Sequence, residues 1–286
     1  MQEFWKTAVE QEAGKIKTIT PLGGGDTSAV YRVEGKQKTV LVKTNAAIQL
    51  KGLLAAEHQG LVALKNTAAI PTPTVYFHRD TPQGELLVME YIPNGPSSAA
   101  ALRLFGQQLA KMHQQYGAEH GWRHDNFIGQ LKQYNTPDER WPVFYAHQRL
   151  LPQLKLAVDK GLLPPRHLLN EDKLGKRCEE LLGFPKPSPL HGDLWNGNYL
   201  ISQSGQAFLI DPSFYYGHAE VDLAMTRLFG GFGDQFYAAY DEIMPSIAGA
   251  NERCEIYQLY YLLVHLNMFG VAYLAQVQRI LQRYFT

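Results

Sequence analysis

The spacing of apolar positions changes along the chain. Between residues 16 and 43 they fall in short runs, "IKTITPL", "SAVYRV" and "TVLVK", separated by a glycine run at 23–25 and by "EGKQ". Short β-branched runs bounded by Gly-containing turns predict antiparallel strands. From 45 to 67 the period becomes helical, with Leu50, Leu54, Leu61 and Leu64 on one face. "TPTVYFHR" and "ELLVMEYI", joined by "DTPQG", predict two further strands. "PNGP" at 93–96 then punctuates the chain as a hinge would. Beyond it, Leu102, Phe105, Leu109 and Met112 form one helical stripe, and helical patterns recur near 143–160, 166–182, 219–229 and 252–283. The N-terminal "MQEFWKTAVEQEAG" predicts a short amphipathic helix and lacks the basic start and unbroken apolar core of a signal peptide. The expected architecture is α+β. Residues 1–92 form a small antiparallel β-sheet lobe with one main helix, 93–96 a hinge, and 97–286 a larger, mainly helical lobe. A cleft between two such lobes is a common ligand site.

One charged residue interrupts this pattern. Glu57 lies between Leu54 and Leu61 on the apolar face of the helix, where an ionised carboxylate is costly without a partner. Lys43 ends the apolar strand "TVLVK" just upstream. A Lys–Glu pair between strand and helix solves both problems, and protein kinases use such a pair to hold ATP phosphates. The competing reading leaves Glu57 in water at the edge of the stripe.

Gly23, Gly24 and Gly25 stand at a strand-to-strand turn, where glycine lets backbone N–H groups approach phosphate oxygens. The run matches neither a Walker P-loop nor a clean G-x-G-x-x-G, and strands rather than a helix follow it, which argues against a dinucleotide fold. A plain hairpin turn is the alternative.

"HGDLWNGNYLISQSGQAFLID", residues 191–211, concentrates polar chemistry around two apolar runs. A two-residue turn at Ser204-Gly205 would place Tyr199 opposite Ile210 and Asn198 opposite Asp211, with Cβ atoms about 5 Å apart. An amide oxygen and a carboxylate at one end of a hairpin suit Mg²⁺, which keeps positions for water and phosphate. His191, Asp193 and Asn198 have the spacing H-x-D-x-x-x-x-N of a catalytic loop that transfers phosphoryl groups to a hydroxyl. In that arrangement Asp193 takes the hydroxyl proton, while Asn198 and Asp211 hold the metal.

Bulk composition narrows the setting. Lys+Arg and Asp+Glu balance at 27 each, so overall charge gives no argument for nucleic acid or an anionic membrane as a partner. Cys178 and Cys254 lie far apart and form no C-x-x-C, as expected of thiols in a reducing compartment. The apolar stretch 256–275 is long enough to span a bilayer, but Gln258, His265 and Asn267 interrupt it, and a buried helix is expected instead. The chain reads as soluble and cytoplasmic.

With these residues in view, "HGDLWNGN", "IDPSFYYGHAEVDLAMTRLFGGF" and "FYAHQRLLPQL" resemble the fructosamine-3-kinase and ketosamine-3-kinase family, over nearly the whole chain. H-G-D is shared with aminoglycoside phosphotransferases and choline kinases, whereas W-N-G-N, "YYGHAEVDLAM" and "FGGF" are more specific. The resemblance implies a protein-kinase-like bilobal fold and an ATP- and Mg²⁺-dependent kinase. Its acceptor would be the sugar C3 hydroxyl of a ketosamine, the adduct of a reducing sugar with an amine, whose phosphorylated form decays to free the amine. By position it makes Asp193 the base, Asn198 and Asp211 the metal ligands, Lys43 the phosphate-contacting lysine and Glu57 its partner. It brings Glu90, Tyr91 and Ile92, after Met89, to adenine, and Trp195 to the wall of the sugar site. His191 would brace the catalytic loop and Asp222 anchor it from a helix N-terminus.

Two segments depart from the family pattern. Asp26 follows the glycine run where a cysteine or small polar residue is common, and its carboxylate would repel ATP phosphates unless it points away. "HGWRHDNFIGQLKQYN" matches only in part, with Asp125, Asn126 and Asn135 as candidate sugar contacts. His120 and His124 have the spacing of a metal pair but no further ligand nearby, which favours hydrogen-bonding roles. Two other functions fit the sequence. A kinase of an aminoglycoside or amino alcohol would favour an acidic cleft, yet 97–180 carries Lys111, Arg123, Lys132, Arg140 and Arg149 among its acids. A nucleotide-binding module without turnover would be expected to lack one of the five key polar groups, and all are present.

Overall fold

The computed structural model of the protein describes residues 5–23, 28–46 and 50–285. Helix α1 (Lys6–Ala13) leads into strands β1 (Ile16–Leu22), β2 (Ala29–Gly35) and β3 (Thr39–Asn45), then α2 (Leu53–Asn66), β4 (Val75–Thr81) and β5 (Gly84–Glu90). The five strands form one antiparallel sheet in the order β1-β2-β3-β5-β4. Their two faces are covered separately. Trp5 and Val9 of the α1 region pack on Val33, Val40, Val42, Leu86 and Val88, while Leu54 and Leu61 of α2 pack on Leu87 and Met89. Alternate residues of β3 and β5 therefore face opposite layers, as strand geometry requires. Helix α2 starts at Leu53 rather than at the expected residue 45, because Gly52 adopts a left-handed conformation (φ 91°) just before it.

The remainder is mainly helical: α3 (Ala99–His113), α4 (Trp141–Phe144), α5 (Leu151–Asp159), α6 (Glu171–Leu182), α7 (Glu220–Leu228), α8 (Asp234–Asp241), α9 (Ala250–Phe269) and α10 (Leu274–Tyr284). A π-helical turn, Tyr145–Leu150, joins α4 to α5. The expected helix near 252–283 is two helices, broken where Gly270 takes φ 87°. Helix α8 has no counterpart among the expected elements. Its eight residues, "DQFYAAYD", are too few for a clear period, and it owes its place to packing of Phe236 and Tyr240 against Phe105 and Leu109 of α3. Trp141, Tyr145, Tyr257, Tyr260 and Tyr261 lie in the largest core cluster, among α4, α7, α9 and α10. Helix α9 is thus buried, and among the described residues no helix is long and apolar enough to cross a membrane.

Three short pairs of strands serve the site: β6 (Asn126–Ile128) with β7 (Leu131–Gln133), β8 (Ser188–Leu190) with β11 (Tyr215–Gly217), and β9 (Tyr199–Ile201) with β10 (Ala207–Leu209). The 93–96 segment is strapped to the β9–β10 hairpin. Asn94 pairs with Ser202, and the Gly95 N–H donates to the Ile201 carbonyl at 2.7 Å. A side chain at Gly95 would lie 2.3 Å from the Ser202 carbonyl oxygen, so only glycine allows this approach.

Candidate active site

The loop between β8 and β9 is held from beneath. Asp222, in the first turn of α7, is fully buried, and its carboxylate accepts the N–H groups of His191 (2.8 Å) and Gly192 (2.9 Å). His113 Nε2 lies 3.2 Å from the same carboxylate, and His113 Nδ1 lies 2.8 Å from the Tyr240 hydroxyl. These partners satisfy a carboxylate that burial would otherwise penalise heavily. Gly192 takes φ 83°, and a Cβ there would sit 2.1 Å from the Ser213 carbonyl oxygen, so the loop turns only on glycine. The Tyr261 hydroxyl donates to the Gly192 carbonyl at 2.8 Å.

His191 is bonded on both ring nitrogens. Its Nδ1 accepts the Asp193 N–H at 3.2 Å, so Nε2 carries the proton and donates to the Ile210 carbonyl at 2.7 Å. Burial lowers its pKa and keeps the ring neutral, which that pattern needs. Its own carbonyl accepts from Ser213 at 2.9 Å, tying the loop to the segment after Asp211.

The β9–β10 hairpin differs from expectation by one residue. Leu209 pairs with Tyr199 and Ala207 with Ile201, so Ile210 rather than Asp211 lies level with Asn198. The cause is the turn. Gly205 N–H bonds the Ser202 carbonyl at 2.9 Å and Gly205 takes φ 81°, which makes a three-residue loop instead of a two-residue one. Asp211 then reaches the cleft by another device, a left-handed backbone at φ 54° that is unusual outside glycine. Asn198 and Asp211 still line one pocket, with Lys43, Glu57, Asp193 and Trp195.

Lys43 is buried and lies between two carboxylates. Its Nζ donates to Glu57 Oε1 at 2.8 Å and also to Asp211 Oδ1. The expected strand–helix pair is therefore present, extended to Asp211 across the cleft. Asn198 Nδ2 donates to both the carbonyl (2.8 Å) and the Oδ2 (2.9 Å) of Asp193. This leaves the Asn198 amide oxygen as its acceptor. With the Asp211 carboxylate it offers two hard oxygens on one pocket, a set that fits Mg²⁺ carried in with phosphate and water. Among the described residues no cluster of three or more His, Cys, Asp or Glu forms a protein-only cage. Burial pushes the Asp193 pKa up to about 7, against the lowering effect of the Asn198 amide, and the Asp222 charge adds to the rise. A carboxylate near 7 is matched to accept a proton at neutral pH.

The other expected site residues fall in several places. Gly24, Gly25 and Asp26 lie outside the described residues; Gly23 ends β1 in a bend. The Glu90 N–H donates to the Thr74 carbonyl at 2.8 Å and its carboxylate accepts the Thr74 N–H at 3.1 Å, so both are already engaged within the sheet. The Tyr91 ring faces the Arg32 guanidinium, and Ile92 is buried. None of the three lines the pocket around Asp193. Trp195 is 38% exposed and folds against Gly197, where a Cβ would lie 2.5 Å from its ring. Asn126 lines the pocket, but its amide is spent on the Phe214 carbonyl and on Gln133 and Asn135. Asn135 is fully buried, bonded to His124, Asn126 and Arg149, and it offers a sugar no open face. Asp125 is exposed, pairs with Lys132 at 3.1 Å and accepts the Asn135 N–H at 2.9 Å. Asp125 and Asn135 thus brace the open end of the β6–β7 hairpin, opposite its turn, and neither lines the pocket around Asp193, a correction to their expected place.

A second pocket opens on the other side of Asp193 and Trp195. Phe229, Tyr261, His265, Met268 and Phe269 form its far wall. In the sequence, Phe229 opens the "FGGF" motif and His265 interrupts an apolar helix, while nothing local marks Tyr261, Met268 or Phe269 as anything but core.

The fructosamine kinase family model matches residues 1–286. A "probable ketoamine kinase" of Enterococcus faecium is 36% identical over 93% of this chain and 95% of its own. A chloroplastic protein-ribulosamine 3-kinase of Arabidopsis thaliana is 34% identical over 96% and 85%. The crystal structure of a fructosamine-3-kinase candidate from Haemophilus somnus superposes with a TM-score of 0.88 at 28% identity, covering 98% of this chain and 96% of the other. An aminoglycoside phosphotransferase shares the fold, with a TM-score of 0.63 at 13% identity, over 97% and 98%. The chain belongs to the fructosamine kinase family.

Proposed function

We propose that this protein is an ATP-dependent kinase that phosphorylates the C3 hydroxyl of ketosamines, so that the product breaks down and frees the amine. The observation that carries this reading is one pocket lined by Lys43, Glu57, Asp193, Asn198 and Asp211 together, in a chain of this family. The lobe boundary falls at 93–96, with adenine reaching the Glu90 carbonyl and the Ile92 backbone. Asp193 accepts the hydroxyl proton as that oxygen bonds to the γ-phosphorus and the bond to the ADP oxygen breaks. Asn198 holds the Asp193 carboxylate in place through its amide N–H. Lys43, steadied by Glu57, presents its ammonium to the phosphates. Asn198 Oδ1 and Asp211 would hold Mg²⁺, which supplies charge neutralisation on the phosphates. Trp195 walls the sugar.

A polycationic acceptor is the second reading of the fold. The lining of the two pockets argues against it, since among the described residues their acids are Glu57, Asp193 and Asp211, two of them already paired with Lys43. The test is the product. ³¹P NMR of a reaction with a ribulosamine or fructosamine adduct should show phosphate on C3, followed by release of free amine. Phosphate on another hydroxyl, or on an aminoglycoside alone, would overturn the reading.

A further inference from the structure

Resting on the kinase reading above, we infer that the second pocket holds the amine half of the acceptor and selects amines that carry an apolar or aromatic substituent. The pocket is continuous with the reaction centre, because Asp193 and Trp195 line both it and the phosphate-side pocket. A sugar whose C3 hydroxyl touches Asp193 and whose C1 points away from the phosphate-side pocket would have its amine end at the mouth of this space. What lies beyond is almost wholly apolar: Ile128, Met225, Val264 and Met268, with the rings of Phe229 and Phe269. Among the described residues lining it, Asp193 carries the sole carboxylate.

A ketosamine nitrogen is a secondary amine and is cationic at neutral pH. Two features suit one such charge and no more. Aromatic faces attract an ammonium without a counter-ion. His265 adds a single lone pair. Its Nδ1 lies 2.7 Å from the Tyr261 carbonyl, an acceptor only, so Nδ1 carries the proton and Nε2 is left as an acceptor. Burial favours the neutral ring. Phe229, Phe269 and Tyr273 pack around that ring at centroid distances of 4.9, 5.5 and 5.1 Å and fix its orientation. A second cationic group on the acceptor would enter an apolar space without a partner, at a cost that disfavours it. Phe269 (52% exposed) stands at the open edge, where it can cover an apolar substituent.

The test keeps the sugar constant and varies the amine. Ribulosamines of ethanolamine, lysine and 2-phenylethylamine, made from ribose, are compared by kcat/KM in the wild type and in Phe269→Ala and Met268→Ala. The phenylethylamine adduct should exceed the ethanolamine adduct by about tenfold or more, as expected for burying an aromatic ring. Both variants should shrink that ratio severalfold by raising KM for the phenylethylamine adduct. Equal kcat/KM across the adducts, or a ratio that the variants leave intact, overturns the inference and leaves the kinase reading standing. No turnover of any adduct while ATP still binds overturns the kinase reading itself. Circular dichroism of each variant separates a folding defect in one from the outcome in the other.

Discussion

The Asn198 amide nitrogen donates to the Oδ2 of Asp193 at 2.9 Å and to its carbonyl at 2.8 Å. One side chain thus fixes the Asp193 carboxylate and leaves its own amide oxygen for a cation. A hydrogen bond to the charged form holds a carboxylate pKa down. In Asn198→Ala that restraint is gone. On the assignment of Asp193 as the base, whose pKa burial raises to about 7, the acidic limb of kcat/KM should move to higher pH. A limb that stays in place, or moves down, would contradict the assignment.

Asp193 also links activity to stability. Its pKa rises from 3.8 to about 7 on folding, so the folded state holds this proton more tightly than the unfolded state. The stabilising effect of that proton is complete below about pH 4 and is lost as pH climbs through 7. Asp193→Asn should therefore be more stable than the wild type at pH 8, with a gap that closes towards pH 4. Its ceiling is about 4 kcal/mol from the shift alone, and less because the carboxylate opens to the cleft. Thermal melts at pH 4, 6 and 8 measure it.

Lys43 draws on Glu57 for its position. Removing one charge-assisted hydrogen bond costs about 1.5–3 kcal/mol, or roughly tenfold to a hundredfold in affinity. Glu57→Ala should raise the Kd for ATP by about that factor, read by calorimetry. An unchanged Kd would show that Asp211 alone positions the lysine.

Asp222 supports the loop without reaching the cleft. Asp222→Ala leaves two buried N–H groups without acceptors and should destabilise the fold by about 3–5 kcal/mol. Asp222→Asn, which keeps one acceptor oxygen, should cost less. Urea denaturation compares the two, and equal costs would mean that the N–H contacts are not what matters.

Asn135 separates bracing from recognition. Its buried amide serves His124, Asn126 and Arg149. Asn135→Ala should lower stability by about 1–3 kcal/mol and leave the acceptor KM of the remaining folded enzyme unchanged. A raised KM at unchanged stability would return Asn135 to the sugar site.

The parts legible in the sequence were those carried by local pattern. Period and turn residues reveal the five-stranded sheet, and a charge on the apolar face of α2 reveals the Lys43–Glu57 pair. The register of β9–β10 was missed because Gly205 serves a two-residue and a three-residue turn equally well, and a one-residue slip changes which residues lie level. Asp125 and Asn135 look like sugar ligands in sequence, since polar type alone does not reveal that one pairs with Lys132 and the other is buried. The wall at His265 and Phe269 was out of reach for another reason. It meets Asp193 only through the packing of α9, far along the chain.

The most direct test is ATP- and Mg²⁺-dependent phosphorylation of ribulosamine-, fructosamine- and erythrulosamine-modified lysine by the wild type and by Asp193→Asn. The wild type should turn over at least one of them, and the variant should lose about 10²–10⁴-fold in kcat while still binding ATP. A variant that works at the wild-type rate would contradict the assignment of Asp193. A wild type that binds ATP and phosphorylates none of the three would contradict the function proposed.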